Sequence, residues 1–308
     1  MATQPQQAQA RSDLTRFAWL SIAAALATIA LKTAAYMLTG SVGLLSDAAE
    51  SIVNLVGAIM ALGMLIIAAR PPDESHSYGH SKAEYFSSGV EGLLILIAAA
   101  AIIWSSAERL FNPRPLEQLG LGLVVSVVAS VINFSVARVL TRAGKQANSI
   151  TLEADAQHLM TDVWTSLGVI GGVGVVALTG WESLDAIVAI LVAINIVWTG
   201  VHLLRRSVAG LMDAALPAAD QQIIENVMGK YRGKQVDFHA LRTRQAASRR
   251  FVTVHMLVPG AWTVHDAHQF AEEFESDIRA ALGEAVITTH VEPIEDELSM
   301  KDILLEQE

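Results

Sequence analysis

His158 and Asp162 form a potential metal-binding pair at the beginning of a long apolar stretch of the chain. The stretch runs from about Leu159 to Leu178, which is long enough to cross a bilayer. Residues four apart on a helix share one face, so this imidazole and carboxylate can hold one divalent cation between them. An ionisable residue inside hydrocarbon costs roughly 2.5–3.5 kcal/mol, which favours a functional role. The alternative is a pair satisfied by neighbouring helices or lying in the interfacial layer.

A second pair of oxygen donors, Glu50 and Asn54, lies within another apolar stretch. These residues are also one helical turn apart, and both can offer an oxygen atom to a cation. A glutamate in the middle of a membrane span is hard to explain by packing alone. Asn54 has an alternative role as a hydrogen-bonding residue between helices.

A third group, Asp73, His76 and His80, lies within eight residues of polar sequence between two apolar stretches. One carboxylate and two imidazoles have the donor chemistry of a zinc site. The alternative is a solvated polar loop whose histidines have no role in metal binding.

The last third of the chain is rich in histidine. Five of the nine histidines in the sequence lie there. His290 and Glu292 fall on the same side of a strand because side chains alternate along it. The accumulation of imidazoles around Glu292 favours metal binding, whereas we interpret His265 as a surface residue. The five histidines are His239, His255, His265, His268 and His290.

The elements that must position these residues follow from the distribution of apolar sequence. The chain has 308 residues, of which 52% are hydrophobic and only 17% are charged. Its apolar content is higher, and its charged content lower, than in an ordinary soluble domain. Six stretches approach the length of about 20 residues that a transmembrane helix requires. They are Phe17–Leu38, Val42–Ala69, Phe86–Leu110, Leu119–Val139, Leu159–Leu178 and Leu184–Leu204.

The sequence after the last apolar stretch predicts a small cytoplasmic domain of the α+β class. A helix from Ala218 to about Tyr231 precedes two strands near 238–244 and 250–258, an amphipathic helix at 264–282 and a strand at 285–290. The order αββαβ predicts an open sheet backed by helices. We therefore divide the chain into a flexible tail (1–14), six transmembrane helices (15–210), the αββαβ domain (211–294) and an acidic tail (295–308).

Charge and cysteine content restrict location and partners. Lys and Arg are concentrated in alternate connections, which predicts cytoplasmic termini in a multi-pass inner-membrane protein. The first 13 residues lack the pattern of a cleaved signal peptide, so we expect the first span to be retained. The net charge of −10 argues against a nucleic-acid partner. Without cysteine there is no disulfide and no iron–sulfur cluster, and we expect no prosthetic group.

The motifs, taken in order, resemble those of the cation diffusion facilitator family of divalent-metal/proton antiporters, over about Ala18 to Pro293. Together with the six spans and the αββαβ tail, they make the resemblance specific. The motifs are Ser41-Val-Gly-Leu-Leu-Ser-Asp47, His76-Ser-Tyr-Gly-His80-Ser-Lys82-Ala-Glu84, Ala154-Asp155 ahead of the His158 pair, and Leu241-Arg-Thr-Arg244.

This resemblance implies a homodimer whose metallochaperone-like tail domains pack together on the cytoplasmic side. It also implies a tetrahedral transport site formed by two residues each from spans two and five, here Glu50 and Asn54 with His158 and Asp162. The loop site falls on Asp73, His76 and His80. The implied binuclear cytoplasmic site falls on His239, His255, His268, His290 and Glu292.

The function predicted from the sequence is efflux of a divalent cation in exchange for protons. Zinc is the first choice by ligand type, followed by iron(II), manganese(II) and cobalt(II). Asn54 departs from the aspartate common in this family, leaving two carboxylates rather than three in the transport site. A membrane metalloenzyme is disfavoured because the chain has no His-Glu-x-x-His motif. A membrane metal sensor that does not transport remains the alternative.

Overall fold

The computed structural model describes residues 14–39, 42–111, 121–181, 183–233 and 235–300. Within the helices it leaves out some side chains, including those of Asp47 and Glu50. The predicted flexible tail, apart from residue 14, and the end of the predicted acidic tail (301–308) lie outside the described residues.

The N-terminal part of the described chain consists of six long helices, as the distribution of apolar sequence predicts. This confirms the predicted fold class for this part of the chain. Their bounds are α1 (Thr15–Thr39), α2 (Val42–Ala68), α3 (Ala83–Phe111), α4 (Leu121–Ala147), α5 (Ile150–Thr179) and α6 (Ser183–Leu211).

Five of these helices are long and apolar enough to cross a membrane, judged on the described residues; α5 is not among the five. Helix α5 is 30 residues long and contains Glu153, Asp155 and Asp162. Large apolar side chains such as Trp104, Ile97 and Trp198 are exposed on the outside of the helices. A lipid environment accounts for that exposure, so the chain is an integral multi-pass membrane protein.

Small residues allow the helices to approach one another closely. A Cβ atom at Gly92 of α3 would lie 3.2 Å from the backbone nitrogen of Leu204 in α6. At Gly200 of α6, a Cβ atom would lie 2.8 Å from the Leu96 side chain of α3. Ser88 and Ser207 share a hydrogen bond of 2.5 Å between the same helices. Such contacts are typical of helix packing in membranes, where small residues let backbones come together.

The chain divides into two compact units at the boundary between Val208 and Ala209. The second unit is the predicted α+β domain, with the elements in the predicted order. Its elements are α7 (Ala218–Tyr231), β1 (Asp237–Ala246), β2 (Arg249–Val258), α8 (Val264–Leu282) and β3 (Ala285–Pro293).

The three strands form one sheet in the order β1-β2-β3, with β2 antiparallel to β1 and parallel to β3. Helix α8 contributes Phe274, which is fully buried and stacks on Phe238 of β1 at 4.6 Å between ring centroids. The register pairs His239 with His255, and His255 with His290. Three histidines from three strands therefore lie side by side across the sheet.

Candidate metal centres

The first candidate centre surrounds Asp162 in the middle of the helices. His158 and Asp162 of α5 are both buried. Asp162 Oδ2 accepts a hydrogen bond from the Asn54 amide of α2 and another, of 2.9 Å, from the Asn133 amide of α4. The structure therefore brings Asn54 of α2 into contact with Asp162 of the α5 pair.

Two amide oxygens at this centre have no hydrogen-bond partner among the described residues. They are the buried Oδ1 atoms of Asn54 and Asn133, whose NH₂ groups both donate to Asp162. A buried oxygen without a partner loses its hydration without compensation. Such an atom is available to a cation, so the donor set fits a metal that prefers oxygen and nitrogen ligands.

Glu91 of α3 is part of the same centre, although its side chain was not identified from the sequence. It is fully buried, and its Oε2 contacts Nδ1 of His158. Its other oxygen, Oε1, has no hydrogen-bond partner among the described residues. In the sequence, Glu91 lies within the apolar run Phe86–Leu110. An acidic residue within such a run is itself the signal that could have identified it.

Glu50, predicted to be the second donor of α2, lies in that helix, but its side chain is outside the described part of the structure. The ligand atoms of Glu91, His158 and Asp162 do not form a group within 4.8 Å of one another among the described residues. The polar side chains of this centre thus come from four helices, α2 to α5, and meet in contacting pairs.

The second candidate centre is the loop between α2 and α3. Asp73 lies 3.3 Å from Nδ1 of His76 and 3.3 Å from Nε2 of His80. The ligand atoms of all three residues lie within 4.8 Å of one another. The backbone N–H of His76 donates to Asp73 Oδ1 at 2.7 Å and lowers the pKa of this exposed carboxyl. The carboxylate therefore stays charged and available to a cation near neutral pH.

The third candidate centre lies on the sheet of the C-terminal unit. Glu292 lies at the end of β3. Its Oε2 atom is 2.8 Å from Nε2 of His239 and 3.2 Å from Nδ1 of His255. The ligand atoms of these three residues lie within 4.8 Å of one another. One carboxylate and two imidazoles at this spacing suit a zinc-type cation.

The other two histidines predicted for this centre lie farther out. His290 Nε2 is 3.5 Å from Glu292 Oε1, and its side chain is 61% exposed. His268 lies on α8, is exposed, and is not part of the group of close ligand atoms. The described residues thus bring together three of the five predicted ligands, with His290 at the edge.

The family profile described as the cation efflux transmembrane domain matches residues 18–212. A second profile, for the cytoplasmic domain of cation efflux proteins, matches residues 216–294. The chain belongs to the cation diffusion facilitator family. In this family the metal is the transported substrate, so the chain is a divalent-cation efflux transporter and not an enzyme.

Several proteins resemble this member of the cation diffusion facilitator family over most of their length. An uncharacterized transporter of Synechocystis sp. is 52% identical over 91% of this chain and 90% of its own length. A cation-efflux pump, FieF, of Shewanella oneidensis is 31% identical over 90% of this chain and 93% of its own. The solved structure of CzrB in its zinc form is 32% identical over 26% of this chain and 90% of that chain, with a TM-score of 0.24. The two sequence relatives, which are named as a transporter and a cation-efflux pump, give no support to the alternative of a sensor that does not transport.

Proposed function

We propose that this protein exports a divalent cation from the cytoplasm in exchange for protons by alternating access. The observation that carries the proposal is the buried centre around Asp162, where Asn54 and Asn133 donate to one carboxylate and buried His158 lies one helical turn away. The transport site in this proposal consists of Glu50, Asn54, His158 and Asp162.

Proton coupling follows from competition at the same atoms. Histidine and carboxylate ligands must be deprotonated to bind a cation, so cation and proton affinities oppose each other. A cation entering from the cytoplasm displaces protons from His158, Glu50 and Asp162. After the helices rock and the site opens outward, protons reload the ligands as the cation leaves.

Zinc is our first choice of cation because the site offers nitrogen and carboxylate ligands without cysteine. Iron(II), manganese(II) and cobalt(II) follow. The neutral oxygen of Asn54 attracts a divalent cation less than a carboxylate does. It also shifts preference toward harder ions.

The cytoplasmic centres act as sensors in this proposal. Cation binding at His239, His255 and Glu292, with His290 and His268 as outer ligands, draws the two tail domains of a homodimer together and biases the transporter. The match to the cytoplasmic domain of cation efflux proteins supports this assignment. The excess of Lys and Arg in alternate connections supports an inner-membrane protein with both termini in the cytoplasm.

The deciding experiment measures uptake of zinc, iron(II), manganese(II) and cobalt(II) into proteoliposomes, with and without a pH gradient. We expect flux that depends on the gradient in the parent protein and none in Asp162→Ala. We expect Asn54→Asp to change the order of the four ions when they are ranked by their rate of uptake. Absence of flux for all four ions, together with tight cation binding, would favour the sensor over the transporter.

A further inference from the structure

We propose that Glu91 is a ligand of the transported cation and supplies the carboxylate that is missing at position 54. The inference rests on the proposed transport site, and it adds a residue from α3, a helix that site does not otherwise use.

Glu91 is a buried acid with one oxygen already directed at a metal-binding residue. Its side chain is fully buried, and Oε2 contacts His158 Nδ1. Two ligands about 2 Å from one tetrahedral cation lie roughly 3.3 Å from each other, so only a small displacement separates this contact from shared coordination.

The comparison with Glu84 argues against a purely structural role for Glu91. Both glutamates are buried on α3, seven residues apart. The Glu84 carboxylate accepts a hydrogen bond of 2.5 Å from Ser149 Oγ. Glu91 Oε1, in contrast, has no hydrogen-bond partner among the described residues. A structural carboxylate needs its oxygens satisfied, whereas a ligand keeps one for the cation.

Contacts through Gly57 place Glu91 on the same side of α2 as Asn54. A Cβ atom at Gly57 would lie 2.6 Å from Glu91 Oε1, so the glycine makes room for this carboxylate. Asn54 is three residues earlier on α2 and donates to Asp162, which lies one turn from His158. Pairwise neighbours therefore link Glu91, His158, Asp162, Asn54 and Gly57 in a closed ring across three helices.

The ring explains how the site tolerates a neutral residue at position 54. With Asn54 uncharged, the α2 and α5 positions supply only Glu50 and Asp162 as carboxylates. Two carboxylates balance the charge of a divalent cation. Glu91 adds a third carboxylate close to His158, so the site regains the oxygen donor that an aspartate at position 54 would supply.

The test measures binding of zinc and cobalt(II) to the full-length protein in lipid nanodiscs. All variants are made in a protein in which four histidines of the other two centres are replaced by alanine, so that most of the measured binding comes from the transmembrane centre. These histidines are His76, His80, His239 and His255. Three variants are compared in this background: Glu91→Gln, the matched control Glu84→Gln, and the double variant Glu91→Gln/Asn54→Asp. The cobalt(II) visible absorption spectrum reports on the ligands themselves.

We expect Glu91→Gln to weaken zinc binding by about tenfold or more and to change the cobalt(II) spectrum. Glu84→Gln should leave both unchanged, and adding Asn54→Asp to Glu91→Gln should restore affinity. The inference is overturned if Glu91→Gln binds zinc with the same affinity as Glu84→Gln. It is also overturned if affinity falls while the spectrum stays constant and Asn54→Asp gives no rescue, because Glu91 then only orients His158.

The same variants separate this inference from the proposed function. The expected binding pattern in a parent protein without flux in proteoliposomes would retain Glu91 as a ligand and reject the transporter. If the parent protein shows flux, and Glu91→Gln changes neither flux nor zinc binding, the transporter is retained and Glu91 is rejected as a ligand.

Discussion

The amide of Asn133 on α4 donates a hydrogen bond of 2.9 Å to Oδ2 of Asp162 on α5. The same oxygen accepts the amide of Asn54. Two donors from different helices thus fix the orientation of one buried carboxylate, and its other oxygen can face a cation.

Replacing Asn133 by leucine removes one of these donors. A hydrogen bond to a charged group contributes about 1.5–3 kcal/mol, so we expect the KM for zinc flux to rise about tenfold or more. Initial rates in proteoliposomes across a range of zinc concentrations measure the effect. Asn195→Leu, at an exposed position on α6, is the control and should leave KM unchanged. An equal loss in both variants would assign the effect to general disruption of the helices.

Gly57→Ala should displace the Glu91 carboxylate without unfolding the protein. The added Cβ atom meets Glu91 Oε1, the mobile end of a side chain, at 2.6 Å. We expect weaker zinc binding at the transmembrane centre with an unchanged melting temperature in detergent. The control is Gly63→Ala on the same helix, where an added Cβ atom meets nothing within 4 Å. If zinc affinity is the same in both variants, Glu91 does not need the space at Gly57.

Zinc binding at the loop centre should keep the full contribution of the Asp73 carboxylate between pH 7.5 and 5.5. The lowered pKa of Asp73 keeps this carboxylate charged until the pH falls below the usual aspartate range. Loss of zinc between pH 7.5 and 5.5 therefore reports on ligands other than Asp73. Equilibrium dialysis of full-length protein with the tail ligands His239 and His255 replaced measures this loss.

Two variants test the part played by the Asp73 carboxylate itself. Asp73→Asn should weaken zinc binding at every pH, whereas Glu74→Gln next to it should not. Equal binding by Asp73→Asn and the parent protein would mean that the loop histidines act without this carboxylate.

Glu292→Gln should remove zinc from the sheet centre, because Glu292 contacts both His239 and His255. A ligand that binds only the folded state at 100 times its Kd contributes about 2.7 kcal/mol of stability. We therefore expect excess zinc to raise the melting temperature of the parent tail domain in the full-length protein, but to have little effect in Glu292→Gln. Glu272→Gln, at an exposed position on α8, should respond like the parent. A full zinc response in Glu292→Gln would exclude Glu292 as a main ligand.

Asp266 should stabilise the start of α8 across the neutral and mildly acidic range. Thr263 and Asp266 form a capping box, and the hydrogen bonds from Thr263 lower the pKa of Asp266. A carboxyl with a lowered pKa contributes stability above its unfolded pKa, and this contribution disappears as pH falls through the folded pKa. Asp266→Asn should therefore destabilise the tail domain equally at every pH from 5 to 8, as measured by proteolysis in urea. A difference in stability between the parent and Asp266→Asn that is smaller at pH 5 than at pH 8 would show that Asp266 becomes protonated at a higher pH than expected.

The sequence alone determined the elements and most of the candidate ligands. Apolar length and helical or strand periodicity are local properties, so the six long helices and the αββαβ order could be predicted before any contact was known. Local spacing also identified the His158 pair and the loop group. The pair Glu50 and Asn54 and the histidines around Glu292 were also visible in the sequence. The resemblance to the family grouped them into one transport site and one cytoplasmic site.

Only the tertiary structure decided which side chains meet. Glu91 and His158 are 67 residues apart in the chain, and Asn54 and Asp162 are 108 apart. Their contacts depend on how α2, α3 and α5 rotate and pack, which no local pattern specifies. For the same reason, the separation of His268 from Glu292 was not visible in the sequence. The chemistry of each residue is encoded locally, whereas the geometry of a centre emerges only when several elements pack together.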